Sequence, residues 1–314
     1  MAYDIQPVPL SRIETADRAF RITTTTDKND LIPSIRSIGM LQPPMLVERG
    51  EGWCIVCGFR RIAASEALNV KEIPAFVVND RSLAQCVRMA IADNACQRSL
   101  NVVEQARAYA LIHKVEKRPE VRVKIAAASG LPSSQAAVER ILPVADMPAS
   151  LQDGLLSGDI ALPIALQLHR LSEADAVALG SLFGKISVGL NVQRELLEMI
   201  LDISKRDRCS VAELIGHEKI AAVLNNEEIS VPQRVQKLRQ MLKKMRYPSL
   251  SRAEESFADM LKSLKLHPRI QLQPPRFFEG KTYRLNLSFD SCDQLRRLQA
   301  ELDKLIQHPH FLSD

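Results

Sequence analysis

The sequence predicts three kinds of structure in order: an α+β N-terminal domain, an all-α middle domain with a helix-turn-helix, and a small α/β C-terminal module. Three observations carry this. Short apolar runs with strand periodicity alternate with helical segments over residues 1–115. From about Leu83 to Gly189 the pattern is almost wholly helical and rich in alanine and leucine. Near the C-terminus an alternating run, Tyr283, Leu285, Leu287 and Phe289, precedes a helical one. The expected segments are 1–115, 116–230, 231–265 (basic amphipathic helices) and 276–314.

Bulk properties bound the possibilities. With 314 residues and 46% hydrophobic content, the chain can bury two or three cores. Its net charge of +5 fits a polyanionic partner without requiring one. No apolar run approaches bilayer length, and Met1-Ala2-Tyr3-Asp4 lacks the pattern of a signal peptide. Six cysteines in a chain this long are too few for a disulfide scaffold, so a reducing cytoplasm is the expected location and no membrane partner is expected.

In the first segment, Asp4 to Val8 reads as a strand, and Leu31 to Gly39 as a helix with Leu31, Ile35 and Ile38 at helical spacing. Met45 to Val47, Trp53 to Val56 and Ile73 to Val78 read as further strands, with a helix from Arg60 to Leu68 between the last two. Gly58 stands where strand becomes helix. A glycine there lets the backbone turn tightly and aim free amides at an anion. Arg60 and Arg61 add planar charged forks suited to phosphate oxygens. Cys54 and Cys57 form a C-x-x-C, but residues three apart in a strand point to opposite faces, and no second ligand pair follows at zinc spacing.

In the second segment, Val121 to Ser129 reads as a short helix with Ile125 and Ala126 on its apolar side. Gly130 supplies the turn, and Ser133 is the expected N-cap of a second helix running to Leu142. Small Ala126 and Gly130 would let the two helices cross closely. The second helix would offer Ser133, Ser134, Gln135 and Arg140 to DNA. Pro143 should stop it early.

Together the motifs resemble the ParB family of DNA partition proteins, in a divergent form. The family's Gly-Glu-Arg-Arg stands here as Gly58-Phe59-Arg60-Arg61, and its Glu-Asn-x-Gln-Arg as Asp93-Asn94-Ala95-Cys96-Gln97-Arg98. Leu100-Asn101-Val102-Val103-Glu104 is intact, and Gly39-Met40-Leu41-Gln42-Pro43 corresponds to Gly-Leu-x-Gln-Pro. The resemblance covers residues 1 to about 110, and a helix-turn-helix follows at the distance the family has it.

The resemblance implies a ParB-like nucleotide-binding domain that holds CTP. Arg60 and Arg61 would hold the phosphates with Gly58 allowing close backbone approach, Asn94 and Arg98 would complete the pocket from the next helix, and Gln42 would line the base or ribose side. Two acidic positions of the family, suited to magnesium, are here Phe59 and Asp93. Asp93 keeps a carboxylate and Phe59 offers no ligand, so magnesium-assisted hydrolysis should be weak or absent. The implied function is chromosome or plasmid partition, as a cytoplasmic homodimer on DNA with a partition ATPase as possible partner.

Two alternatives stay open. One is a transcriptional regulator in which the nucleotide pocket survives only as scaffold. The other is an ATP-dependent phosphotransferase of the related sulfiredoxin-like fold, for which Cys57 lies two residues too far from the arginines.

The last segments read as assembly. Val231, Val235, Leu238, Leu242 and Met245 form one helical stripe. The rest of that helix carries Arg234, Lys237, Arg239, Lys243, Lys244 and Arg246. It is either a solvated helix packed on the body or a nonspecific contact to the DNA backbone. Leu266 to Pro275 reads as a linker. Ser291 should cap a helix bearing Leu295, Leu298, Leu302 and Leu305, with Gln294 completing a capping box. One strand and one helix bury little alone, which favours pairing with a second copy.

Overall fold

The computed structural model describes residues 4–78 and 82–306, with side chains described through residue 303. It divides into two compact units, Met1–Leu190 and Asn191–Asp314. The expected breaks at 115/116 and 230/231 therefore fall inside units rather than between them.

The first unit begins with a four-stranded mixed sheet. Its strands are β1 (Asp4–Pro9), β2 (Met45–Arg49), β3 (Gly52–Cys57) and β4 (Glu72–Val77), in the order β1-β4-β2-β3. β4 runs antiparallel to β1 and parallel to β2, and β2 and β3 form an antiparallel pair. Helices α1 (Leu31–Ile38) and α2 (Phe59–Ala67) pack together. Ile62 of α2 joins Val8, Leu46, Ile55, Ile73 and Ala75 in one core. The opposite face, carrying Cys54 and Val56, packs against α3 (Leu83–Ala95) and α4 (Val102–Val115) through Val87, Ile91, Tyr109 and Ile112. Ile38, expected on the apolar face of α1, is instead 61% exposed.

The C-x-x-C pair departs from simple alternation. Leu46 pairs with Ile55, but Met45 pairs with Cys57, so a β-bulge leaves Val56 without an opposite number. The extra residue reverses the parity. Cys57 joins Cys54 in the same core rather than facing away from it.

Helix α4 is common to everything around it. It packs against α5 (Pro119–Ala128) and α6 (Gln135–Ile141); their Ile125, Ala126 and Val138, with Leu131 of the turn between them, belong to the core that holds Tyr109 and Ile112. That shared core is why residue 115 marks no boundary. The Tyr109 hydroxyl donates to the Pro132 carbonyl and fixes the turn between α5 and α6. Gly130 has φ +72°, and a β-carbon there would meet nothing within 4 Å. Its use is therefore conformational, not close helix crossing. The N-cap of α6 is Ser134, not Ser133: its Oγ accepts from the Ala137 amide at 3.2 Å. Buried Leu131 and the anchored Pro132 hold the turn, so the helix starts one residue later than expected. α6 stops at Ile141, as Pro143 requires, and a short 3₁₀ turn over Leu142–Asp146 follows. Then come α7 (Ala149–Ser157), α8 (Leu162–Leu168) and α9 (Glu173–Ile186).

The second unit contains α10 (Leu190–Asp207), α11 (Val211–Gly216), α12 (Glu218–Leu224), α13 (Val231–Arg246) and α14 (Pro248–Leu264). A two-stranded antiparallel sheet of β5 (Ile270–Gln273) and β6 (Arg284–Leu287) precedes α15 (Cys292–Ile306). β5 lies within the stretch read as a linker; its Ile270 and Leu272 are buried on alternate positions. Ser291 Oγ accepts from the Gln294 amide at 3.2 Å, but the Gln294 side chain returns to the Asp290 amide. Leu298 is buried, whereas Leu285, Phe289 and Leu295 are exposed, and Leu305 lies outside the described side chains.

The basic face of α13 is largely compensated. Arg239 pairs with Glu195 at 2.6 Å, Arg246 with Asp202 at 2.5 Å, Lys244 with Glu255 at 2.5 Å and Lys243 with Glu254 at 3.5 Å. The acids come from α10 and α14, so their sign was invisible within the α13 segment. Of the two readings, a helix packed on the body describes this arrangement.

Candidate functional site

One cavity of about 200 Å³ brings together Gln42, Gly58, Arg60, Arg61, Asp93, Asn94 and Arg98, with Thr23, Thr25, Leu31, Phe59 and Gln97 completing its wall. All seven residues singled out for nucleotide or metal line it. They reach it from four places: the loop before β2, the β3–α2 junction, the last turn of α3, and the link from α3 to α4.

The junction is built around Gly58, the N-cap of α2, at φ +93°. A β-carbon there would stand 2.7 Å from Pro44 Cβ, so both conformation and space demand glycine. The first amides of α2 precede its hydrogen-bonded turns and form a partial positive charge at the cavity edge.

Each arginine is held by the protein. Arg60 Nη2 pairs with Asp30 Oδ1 at 2.6 Å, and its Nε donates to the Asp27 carbonyl at 2.6 Å. Arg61 Nη1 donates to the Gln42 carbonyl at 2.7 Å, while Nη2 lies 3.6 Å from Asp93 Oδ2. Arg98 grips Glu104 through both nitrogens. Glu104 also accepts from the amides of Thr24 and Asn101, at 3.0 and 3.2 Å. Burial raises its pKa, but Arg98 and those two amides together outweigh burial and hold it down at about 2. Asn94 Nδ2 donates to the Ala90 carbonyl within its own helix.

Asp93 is shared between Arg61 and the Gln97 amide, which donates at 3.3 Å. Among the described residues no three His, Cys, Asp or Glu side chains gather as a metal site. The cavity wall therefore supplies one carboxylate, which does not fit a magnesium shell made by protein alone. Phe59 occupies the other acidic position, packed partly into the core beside Ile62 and partly on the cavity. Burial, then the Asp93 carboxylate, pushes the Cys57 thiol far above its ordinary range, which disarms it as a nucleophile.

Several partners were not singled out from the sequence: Thr23 and Thr25 on the wall, Asp30 against Arg60, and Glu104 against Arg98. The four-threonine run from Thr23 to Thr26 was the available signal, since such a polar run precedes α1 without turn residues of its own. Of the residues expected to face DNA, Ser134 is engaged as a cap. Gln135 Nε2 is tied to Glu139 Oε1 at 2.7 Å, Arg140 is exposed, and Ser133 is half-buried.

Residues 2–95 match the ParB N-terminal domain family model. The chain is 30% identical over 159 residues to the chromosome-partitioning protein ParB of Myxococcus xanthus, covering 51% of this chain and 53% of that protein. It is 30% identical over 147 residues to the chromosome-partitioning protein Spo0J of Thermus thermophilus, covering 46% and 52%. The chain thus spans about half the length of these curated relatives. Among solved structures, the C-terminally truncated ParB of Caulobacter crescentus complexed with CTP-gamma-S is 27% identical. It covers 57% of this chain and 98% of that one, with a TM-score of 0.27. No helix among the described residues is long and apolar enough to cross a membrane.

Proposed function

We propose, from the match of residues 2–95 to the ParB N-terminal domain family model, that this chain is a DNA-binding protein of the partition type whose N-terminal cavity binds CTP as a switch. The observation that carries the proposal is the convergence of Gln42, Gly58, Arg60, Arg61, Asp93, Asn94 and Arg98 on one cavity. Three guanidiniums beside a helix N-terminus suit a polyphosphate. Binding would require Arg60 and Arg98 to exchange Asp30 and Glu104 for phosphate oxygens. Asp93 is the one residue available to a magnesium ion, and the remaining ligands would be phosphate and water. Binding without efficient turnover is therefore the expected behaviour.

Helix α4 supplies the route from nucleotide to DNA. Glu104 sits in its first turn, and Tyr109 further along holds the turn between α5 and α6. The α5–α6 pair would act as the helix-turn-helix, with Arg140 toward phosphate. Exposed Leu285, Phe289 and Leu295 support a homodimer through the C-terminal module, to be tested by sedimentation. A partition ATPase is the further partner this role would require.

The test is equilibrium binding of CTP, ATP, GTP and UTP to the native chain and to Arg60→Ala. CTP-selective binding lost in the variant supports the switch; ATP preference would favour a phosphotransferase. No binding would favour a transcriptional regulator on a retired cavity. That second reading draws on one observation: each cavity arginine already has an acidic partner inside the protein.

A further inference from the structure

The threonine run lines neighbouring cavities, one of which, bearing Arg18, Arg21, Thr25, Thr26, Phe59, Arg60 and Glu66, adjoins both of the other two. Thr23 and Thr25 line the candidate nucleotide cavity, whereas Thr24 and Thr26 line a larger one of about 500 Å³. Around the second stand four cations, Arg18 and Arg21 from the segment before the threonines and Arg107 and Lys114 from α4, against one carboxylate, Asp146. The size lies within the range of small-ligand sites, about 300–1,000 Å³.

Among the described residues none of the four cations forms an ion pair. Two are nonetheless held in place. Arg18 Nη1 donates to the carbonyls of Thr15 and Asp17. Arg107 donates through Nη1 to the Thr23 carbonyl at 3.1 Å and through Nη2 to Gln152 Oε1 at 2.9 Å. Bonds to neutral acceptors orient a guanidinium without neutralising it. Arg21 Nε is buried with no partner. Burial, then the like charges of Arg18 and Arg107, disfavours its protonated form. Four cations thus line the cavity with Asp146 as the carboxylate among them; Glu104 and Asp153 attract Arg107 from outside it, and Glu66 stands with Arg18 and Arg21 in the adjoining cavity.

We propose that this cavity is a second phosphate-binding site, next to the nucleotide cavity along the threonine run. Arg18, Arg21, Arg107 and Lys114 would take the phosphate of a DNA backbone or of a free phosphate compound. Arginine forks match phosphate oxygens in pairs, and Lys114 adds a mobile point charge at the mouth.

Arg18 and Lys114 are exposed, so Arg18→Ala combined with Lys114→Ala spares the core. Arg36→Ala with Lys71→Ala removes the same charge from exposed positions of the same unit and serves as control. Two probes are titrated against the full chain: inorganic pyrophosphate by calorimetry, and a short duplex of arbitrary sequence across a salt series. If DNA is the source, the slope of log K against log salt falls by about 1.8 in the variant relative to the control, at ~0.9 per lost contact. If a free phosphate compound is the source, pyrophosphate affinity falls at least tenfold while the duplex slope matches the control. Variant and control alike in both titrations overturns the proposal. None of the substituted residues lines the nucleotide cavity, so CTP binding by the native chain tests the proposed function separately.

Discussion

Arg98 holds Glu104 by two hydrogen bonds, Nη1 to Oε2 at 2.7 Å and Nη2 to Oε1 at 2.6 Å, and the Glu104 side chain has no exposed surface. The same carboxylate completes the capping box of α4 with Asn101 and ties down Thr24. One buried group therefore joins a cavity arginine, a helix start and the threonine run. Removing Arg98 strands that carboxylate, so Arg98→Ala should cost on the order of 3 kcal/mol of stability in urea denaturation. Glu104→Gln should cost less, because no unpaired charge is left buried, although its one oxygen can accept from only one of the Thr24 and Asn101 amides, which meet different carboxylate oxygens. It should also raise CTP affinity, on the order of tenfold, by freeing Arg98. Unchanged or weakened CTP binding in Glu104→Gln would refute competition between phosphate and Glu104.

Acid should reveal the same carboxylate. Its folded pKa of about 2 lies below its ordinary value of 4.5, so the folded state binds the proton less readily than the unfolded one. The stability it contributes is full above about pH 4.5 and is lost as pH falls toward 2, roughly 3 kcal/mol in all. Denaturation midpoints across that window should fall more steeply for the native chain than for Glu104→Gln. Parallel curves would contradict the depressed pKa.

Gly58→Ala places a β-carbon at φ +93° and 2.7 Å from Pro44 Cβ. The backbone penalty alone is about 1–2 kcal/mol, and the overlap adds to it. Thermal unfolding should register the loss, and CTP titration should show binding abolished, since the first amides of α2 move with this residue. A variant as stable as the native chain would mean the junction relaxes freely.

Charge on α13 should matter little to DNA. Arg239 and Lys244 are each paired with a glutamate of the same unit. Substituting both by alanine should leave the salt slope of duplex binding unchanged, against a fall of about 1.8 if both touched phosphate. A fall of that size would return this helix to the DNA-contacting surface.

On α6, Ser134→Ala removes the cap and should cost about 1 kcal/mol. Arg140→Ala should leave stability unchanged and lower the duplex salt slope by about 0.9. If Arg140→Ala leaves duplex binding untouched, this helix pair is not the DNA-contacting element.

Gly58, Arg60 and Arg61 were legible from a local signature, a glycine between strand and helix followed by two arginines, whereas Gln42, Asn94 and Arg98 followed from the resemblance to the ParB family. Gly58 stands between strand and helix, Asn94 in the last turn of α3, and Gln42 in the loop before β2. What escaped involved partners distant in the chain. The parity of Cys57 turned on one bulged residue, and the cap of α6 moved by one position because Tyr109 anchors Pro132. Asp30, thirty positions from Arg60, carried no mark of its role, and the acids facing α13 lie in other helices.

The sequence by itself marked most of the strands and helices and the Gly58-Arg60-Arg61 turn, and the resemblance to the ParB family supplied the other cavity residues. Periodicity, caps and a glycine turn act within a few residues, and their physics is local. Only the tertiary structure decided how the charges are balanced: arginines in ion pairs with acids in the first cavity, and four cations without an ion pair among the described residues in the second. A side chain's charge is written in its own residue, but its compensation depends on which groups folding brings within a few ångströms.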